Sequence, residues 1–227
     1  MRRSGSGVAV VVSAVLIGSV ALTGCGGDAG AAASAPTATT TGQPAPAAPP
    51  AAAAPTSSLG GLVVVPPGYV NDPREFTGAF GLESFVDTLS AEPAEDRALL
   101  LNADLVEGYR TARVSPDRQE RFTVQLFKAG SQKKAKDLQG GFWSQETHSK
   151  QFAVPGVPDS LTDARTVPTG VEAQTEAVAE VSFVVGTLVA EITIRQTGQV
   201  GDNVAPDTSL VATIAKQQKT QLTRKSS

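Results

Sequence analysis

Side chains able to do chemistry are scarce in this 227-residue chain, which holds one cysteine and one histidine. The histidine, His148, sits in the polar run Thr147-His148-Ser149. General-base work in acyl transfer needs an imidazole beside an activated nucleophile, and no Gly-x-Ser-x-Gly elbow accompanies this one. His148 therefore reads as a surface residue. A zinc centre needs three or four nitrogen, sulfur or carboxylate ligands. One histidine, with the cysteine committed elsewhere, does not supply the usual set. Asp202, Asn203 and Asp207 suit calcium by type, but their spacing is not that of an EF-hand loop; loop solvation and helix capping account for them. There is no Walker loop and no GxGxxG run. Glu95-Asp96 falls on a helix expected to be exposed, and a glycosidase-like use of carboxylates stays open with nothing pointing to it. No catalytic, cofactor-binding or metal-ligating residue is expected.

Contact chemistry is what remains. Phe142, Trp143 and Phe152 flank a long polar crossing, and Tyr109 lies on a hairpin. Aromatic side chains beside such a crossing can line an apolar pocket or a partner patch. The alternative is that Phe142 and Phe152 are core. Trp143, next to Gly140-Gly141 and turned away from Phe142, is the best single candidate for an exposed contact.

The cysteine has a more specific context. Arg2 and Arg3 precede an almost wholly apolar run, Val8 to Leu22, and then Leu22-Thr23-Gly24-Cys25. A positive start, an apolar stretch and small residues are the layout of a secretory signal. The apolar run is about 15 residues, short of the roughly 20 that a membrane-crossing helix needs. Leu22-Thr23-Gly24-Cys25 resembles the bacterial lipobox. That resemblance implies cleavage before Cys25, with residues 1–24 as the signal peptide, and acylation of the Cys25 thiol with chains of the palmitate kind. The expected location is the extracytoplasmic face of the cell membrane. One acyl chain anchors only marginally, whereas two or three hold stably. A lone cysteine permits no internal disulfide, so the folded part must rest on its hydrophobic core.

Residues 26–58 are built almost only from Ala, Pro, Thr, Gly and Ser, with Asp28 the one charge. Such a stretch cannot bury enough apolar surface to offset its ordering entropy, and six prolines from Pro36 to Pro55 interrupt any helix. A disordered, partly polyproline-II tether follows over residues 25–58, reaching on the order of 100 Å at full extension. An O-glycosylated Thr/Pro stalk is the alternative. The formal net charge is −3, and losing Arg2 and Arg3 makes the mature chain more acidic still. That argues against nucleic acid and against a polybasic contact with anionic lipid.

Residues 59–227 are one domain by size. Leu62 to Val65 is an edge strand or an ordered lead-in. Leu82, Phe85, Val86 and Leu89 recur at helical spacing, Pro93 breaks that segment, and Glu95 to Asn102 makes a second short helix. Leu105 to Val114 and Arg121 to Phe127 read as a hairpin, with Phe122, Val124 and Leu126 on one face. Ser131 caps a helix carrying Ala135, Leu138 and Phe142, which Gly140-Gly141 should loosen or end. Gln145 to Gly170 is a long polar crossing, usually functional or mobile at that length.

The clearest hairpin turns at Gly186-Thr187. Counting back pairs Val185 with Leu188, Phe183 with Ala190, Val181 with Ile192 and Ala179 with Ile194. All eight are apolar and form one buried face. The other face pairs Ser182 with Glu191 and Glu180 with Thr193 and is mostly polar. A slip of one residue would invert every side chain. Pro206 or Asp207 starts a last helix whose stripe is Leu210, Val211, Ile214, Ala215 and Leu222. Strand-strand-helix thus occurs twice, giving an α+β fold of duplicated units: an antiparallel sheet with helices packed on one face.

A lipobox, an Ala/Pro/Thr tether and the hairpin-loop-helix segment Phe183 to Leu222 make the chain similar to small domains of actinobacterial envelope lipoproteins. The layout also resembles the extracellular sensor domains of actinobacterial receptor kinases and, more distantly, PsbP-like domains. Such kinase sensors usually carry disulfides, and this chain has none. The resemblance implies a non-enzymatic binding or sensing role and carries over no specific residue. Three readings follow: a binding or scaffold lipoprotein engaging a protein partner or an apolar small molecule, an accessory or sensor subunit of a transporter or kinase, and an envelope enzyme using carboxylates.

Overall fold

Gly186-Thr187 turns the central hairpin in the expected register, from Val185↔Leu188 through Ala179↔Ile194. Gly186 has φ 59°, which the tight turn demands and which costs a glycine nothing. The computed structural model describes Ser57 to Ser226, apart from Glu172. The expected signal segment, Cys25 and the tether as far as residue 56 lie outside the described residues. Among the described residues no helix is long and apolar enough to cross a membrane.

The described chain opens with a short 3-10 helix, Ser58–Leu62, followed by β1 (Val70–Asn71), β2 (Gly78–Phe80), α1 (Leu82–Thr88) and α2 (Pro93–Asn102). Then come β3 (Glu107–Val114), β4 (Glu120–Lys128), α3 (Gln132–Gln145), β5 (Leu161–Pro168), β6 (Gln174–Val185), β7 (Leu188–Gln199) and α4 (Thr208–Ser226). All strand pairs are antiparallel, in the order β1-β3-β4-β7-β6-β5, with β2 also on β3. The two long hairpins meet edge to edge, β4 against β7, from Glu120↔Gln196 to Lys128↔Leu188.

Strand alternation sends residues to two faces, and both are covered. On one, Phe122, Val124, Leu126, Val181, Phe183, Ile192 and Ile194 pack under Val211, Ile214, Ala215 and Leu222 of α4. On the other, Phe127 and Val189 meet Phe85 and Val86 of α1, Leu100 of α2, and Ala135 and Leu138 of α3. The α+β class and the antiparallel sheet are as expected; the placement of the helices is corrected, since α4 takes one face and α1–α3 the other. The reason is that both sets of strand positions carry apolar residues, with Phe127, Val184 and Val189 seeding a second core. The two strand-strand-helix units are therefore alike in order only, because their helices leave on opposite sides.

Local signals explain most element ends. The Ser131 hydroxyl accepts from the Lys134 amide at 3.2 Å, and Asp207 accepts from the Leu210 amide at 2.8 Å, so Asp207 is the cap of α4. Pro93 opens α2 at a position where a missing N–H costs nothing. Leu62 to Val65 is an ordered lead-in, not a strand. It is held by Gln218, fully buried on α4, whose side-chain amide donates to the Leu62 carbonyl and accepts from the Val64 amide, both at 2.8 Å.

Two expectations fail. Gly140-Gly141 do not end α3, which runs on to Gln145. Gly141 faces α2 so closely that a Cβ there would lie 2.4 Å from a Leu99 methyl carbon; the glycine serves helix contact. The crossing from Gln145 to Gly170 contains β5, an edge strand whose inward residues are polar. Thr162 and Asp163 are buried and bind the preceding segment: Phe152 N to Thr162 Oγ1 at 3.0 Å, and Ser149 N and Lys150 N to Asp163 Oδ1 at 2.6 and 2.9 Å. Hydrophobic alternation cannot reveal such a strand.

Candidate functional site

The face under α1–α3 is only partly roofed. Helix α3 and its neighbours cover the end of the sheet near Phe127, and beyond Phe142 and Trp143 the sheet is left as the floor of a cleft of about 510 Å³. Two cross-strand rows form that floor. One runs Arg110, Gln125, Glu191, Ser182 across β3, β4, β7 and β6; the next runs Thr123, Thr193, Glu180 and on to Asp163 of β5. Phe85, Leu89, Phe142 and Trp143 make an apolar wall, with Asp96, Gln145 and Glu146 beside it.

The first row has unused hydrogen-bonding capacity. Ser182 is only 2% exposed and its hydroxyl has no partner among the described residues. Gln125 Oε1 and Arg110 Nε are likewise buried and unpartnered. Buried polar groups normally find partners, and exceptions require a reason. Between Gln125 and Ser182 stands Glu191, half-buried. Burial, reinforced by the negative charges of Glu146, Glu180 and Asp96, pushes its pKa up to about 8.

Asp96, Glu146 and Glu180 are engaged, whereas Glu92, before α2, lines the cleft exposed to solvent. Asp96 is buried and accepts from Ser90 Oγ at 2.6 Å and Gln145 Nε2 at 2.9 Å. This corrects the expectation of an exposed Glu95-Asp96 pair: only Glu95 faces solvent, because Asp96 turns inward to join α1 and α3. Arg165 of β5 binds three carboxylates: Asp163 at 2.6 Å, Glu180 at 2.5 Å and Glu146 at 2.7 Å. Burial opposes its charge, and the bonds to Glu180 and Asp163 overcome that, so the guanidinium is held charged more firmly than usual. Burial also works against the Asp163 carboxylate, yet Arg165 and the Ser149 and Lys150 amides hold its pKa below the usual range. Glu180 goes the other way, raised mainly by burial.

His148 is half-buried rather than a plain surface residue. Its ring stacks on Trp143 with centroids 3.9 Å apart and planes 5° from parallel. Nε2 donates to the Trp143 carbonyl at 2.7 Å, and Nδ1 lies 3.6 Å from Glu180 Oε1. With Asp163 and Glu180 it offers ligand atoms within 4.8 Å of one another. The Arg165 guanidinium already bridges those two carboxylates, so a metal ion would have to displace it. The cluster reads as an ion network that stiffens one end of the cleft.

Of the expected contact residues, Phe142 and Trp143 come together at this wall. Phe142 is also part of an aromatic cluster, 5.1 Å from Phe127 and 6.1 Å from Phe85 by ring centroids. Phe152 and Tyr109 lie on the opposite face, half-buried against the core under α4. Sequence reasoning missed Glu191, Ser182, Gln125, Arg110 and Arg165. The signal available was the polar face of the central hairpin, which already grouped Glu191 with Ser182 and Glu180.

No protein-family model matches the chain, and no curated protein matches it either. Among solved structures it is similar to the extracellular domain of PknH from Mycobacterium tuberculosis. Identity is 7%, the match covers 67% of this chain and 81% of that one, and the TM-score is 0.34. A likeness of that size leaves the cleft to be read from its own geometry.

Proposed function

We propose that the chain is a lipid-anchored binding module of the cell envelope, on the extracytoplasmic side, that holds a small molecule in the cleft between the sheet and α1–α3. The observation that carries this reading is the row Arg110, Gln125, Glu191, Ser182, in which Arg110 Nε, Gln125 Oε1 and Ser182 Oγ are buried without partners among the described residues, set against the aromatic wall of Phe142 and Trp143. A cleft near 500 Å³ with an apolar wall and a few convergent polar groups is the usual form of a small-molecule site. A ligand with an apolar body and a polar end fits it better than the apolar small molecule expected from the aromatic residues beside the crossing. The anchor rests on Leu22 to Cys25, and the tether would let the domain search a wide volume from the lipid surface.

An enzyme using carboxylates is the second reading, because Glu180 and Glu191 are diagonal neighbours on adjacent strands and both have raised pKa values. Glycoside hydrolysis needs one protonated carboxyl and one free carboxylate. Glu180 is clamped by Arg165, and Glu146 and Asp96 are engaged, which leaves only Glu92, solvent-exposed at the start of α2, as a second lining carboxylate without a side-chain partner among the described residues. Binding without reaction is the better account.

Native mass spectrometry of the intact protein from its own cells tests the reading. A discrete added mass that disappears in Trp143→Ala supports it; a bare mass, together with no small-molecule response at Trp143, overturns it. Cys25→Ala should release the protein from the membrane fraction or leave the precursor uncleaved, and normal anchoring of that variant overturns the lipid anchor.

A further inference from the structure

Resting on that reading of the cleft, we propose that its occupant is a small organic cation: an ammonium or guanidinium head seated on Glu191, with an apolar body against Phe142 and Trp143.

The charge around the cleft carries the argument. Glu92 just before α2, Asp96 of α2, Glu146 after α3, Glu180 of β6 and Glu191 of β7 all line it. The lining cations are Arg110 and Arg195, and each is neutralised by a carboxylate that does not line the cleft, Glu75 at 3.0 Å and Glu176 at 3.0 Å. Arg165 is consumed by Asp163, Glu180 and Glu146. Carboxylates therefore outnumber guanidinium groups around the floor among the described residues, although Arg110 keeps an unfilled Nε donor at the far end of the row. Within that field Glu191 is the floor carboxylate with no partner among the described residues, and Ser182 directly across from it is buried with an unfilled hydroxyl. An anionic ligand meets repulsion here, and a neutral one satisfies hydrogen bonds while gaining nothing from the field. A cation gains from the field and from the two unfilled acceptors, Ser182 Oγ and Gln125 Oε1, and the wall adds the attraction of aromatic faces for positive charge.

A linkage follows. Burial and its neighbours keep Glu191 largely protonated at neutral pH, with a pKa pushed up to about 8. An arriving cation favours the carboxylate, so binding releases a proton below that pH and tightens as pH rises toward it.

Trp143 is the chain's one tryptophan, so intrinsic fluorescence reports the cleft directly. The test titrates the intact protein with phenethylamine, using 2-phenylethanol and 3-phenylpropanoate as neutral and anionic counterparts. At pH 8 the amine should bind at least about tenfold more tightly than the alcohol, and the acid least of all. From pH 8 down to pH 6 its affinity should fall, by up to about tenfold per pH unit. Glu191→Gln, checked for fold by circular dichroism, should erase both the preference and the pH dependence. Equal affinity for amine and alcohol, tighter binding of the acid, or an unchanged preference in Glu191→Gln overturns the cation and leaves the cleft a binding site. Silence of Trp143 toward all three overturns the cation, and silence together with a bare mass in native mass spectrometry overturns the binding reading as well.

Discussion

The two faces of one sheet differ sharply although the same strands build both. Under α4 the cross-strand rows are Phe122-Ile194-Ala179, Val124-Ile192-Val181 and Leu126-Ala190-Phe183, apolar throughout and nearly free of water contact. One position along each strand the rows become Gln125-Glu191-Ser182 and Thr123-Thr193-Glu180. The dry face supplies stability through apolar burial. The polar face gives some of that up, holding a carboxyl away from its ordinary pKa and leaving buried polar atoms unpartnered. Thr111 and Arg113, across from Val124 and Phe122, also hold a buried unpartnered atom, but only the cleft sets such atoms beside a carboxyl with a raised pKa, the combination that points to a site.

Breaking the dry face should have the largest effect. Phe122→Ala leaves a cavity in a fully buried row and should cost about 3–5 kcal/mol, read as a lowered midpoint in chemical denaturation. Arg165→Met tests the ion network on the other face. It strands Asp163 and Glu180 without their cation and should cost about 3 kcal/mol or more. The loss should shrink toward low pH as those carboxyls take up protons. A loss as large at pH 3 as at pH 7 would assign Arg165 to packing instead.

Gln218→Leu sharpens the comparison from the dry side. The new side chain fits the apolar surroundings but leaves the Val64 amide and Leu62 carbonyl unpaired, a cost of about 2 kcal/mol. Faster amide exchange confined to the lead-in would identify the cause. Glu191→Gln carries the opposite sign. The native carboxyl keeps its proton up to about pH 8 in the fold but only to about 4.5 in the unfolded chain, so native stability falls as pH rises between those values. The amide removes that fall. It should raise Tm above pH 8 by the equivalent of about 1–2 kcal/mol, less than full linkage because the group reaches the water of the cleft, with no gain near pH 4. A variant less stable than the native chain at pH 8 would show that Glu191 is a structural partner rather than a strained one.

The contrast also explains what could be read in advance. Alternation in Val178 to Arg195 sets the hairpin register, because one slip would bury Glu180, Ser182 and Glu191 in the dry core. Helical spacing in Leu82 to Leu89 and the caps at Ser131 and Asp207 are local and equally legible. Strand β5 was not, since its buried residues are Thr162 and Asp163 and their partners come from the segment at residues 149–152. Nor was the length of α3, because the need for Gly141 arises from Leu99 on another helix.

The same division applies to the site. Phe142 and Trp143 were recognisable by type and by their place beside the crossing. Phe152 and Tyr109, of the same type, went to the opposite face, since strand parity and the path after α3 decide the side. Glu191 was visible in the sequence as a polar residue on a strand. Its raised pKa needed Glu146, Glu180 and Asp96 brought round it, from positions 45, 11 and 95 residues away.

By itself the sequence determined the apolar alternation of the strands, the helix faces and caps, the tether composition, and the Leu22 to Cys25 pattern. Each depends on near neighbours in the chain, where sterics, capping and period-two exposure act directly. Only the tertiary structure decided that helices cover both faces, that one face stays partly unroofed, and that Glu191 stands there without a counter-ion among the described residues. Those outcomes depend on which distant groups exclude water and share a field, and burial and charge coupling are properties of the assembled space.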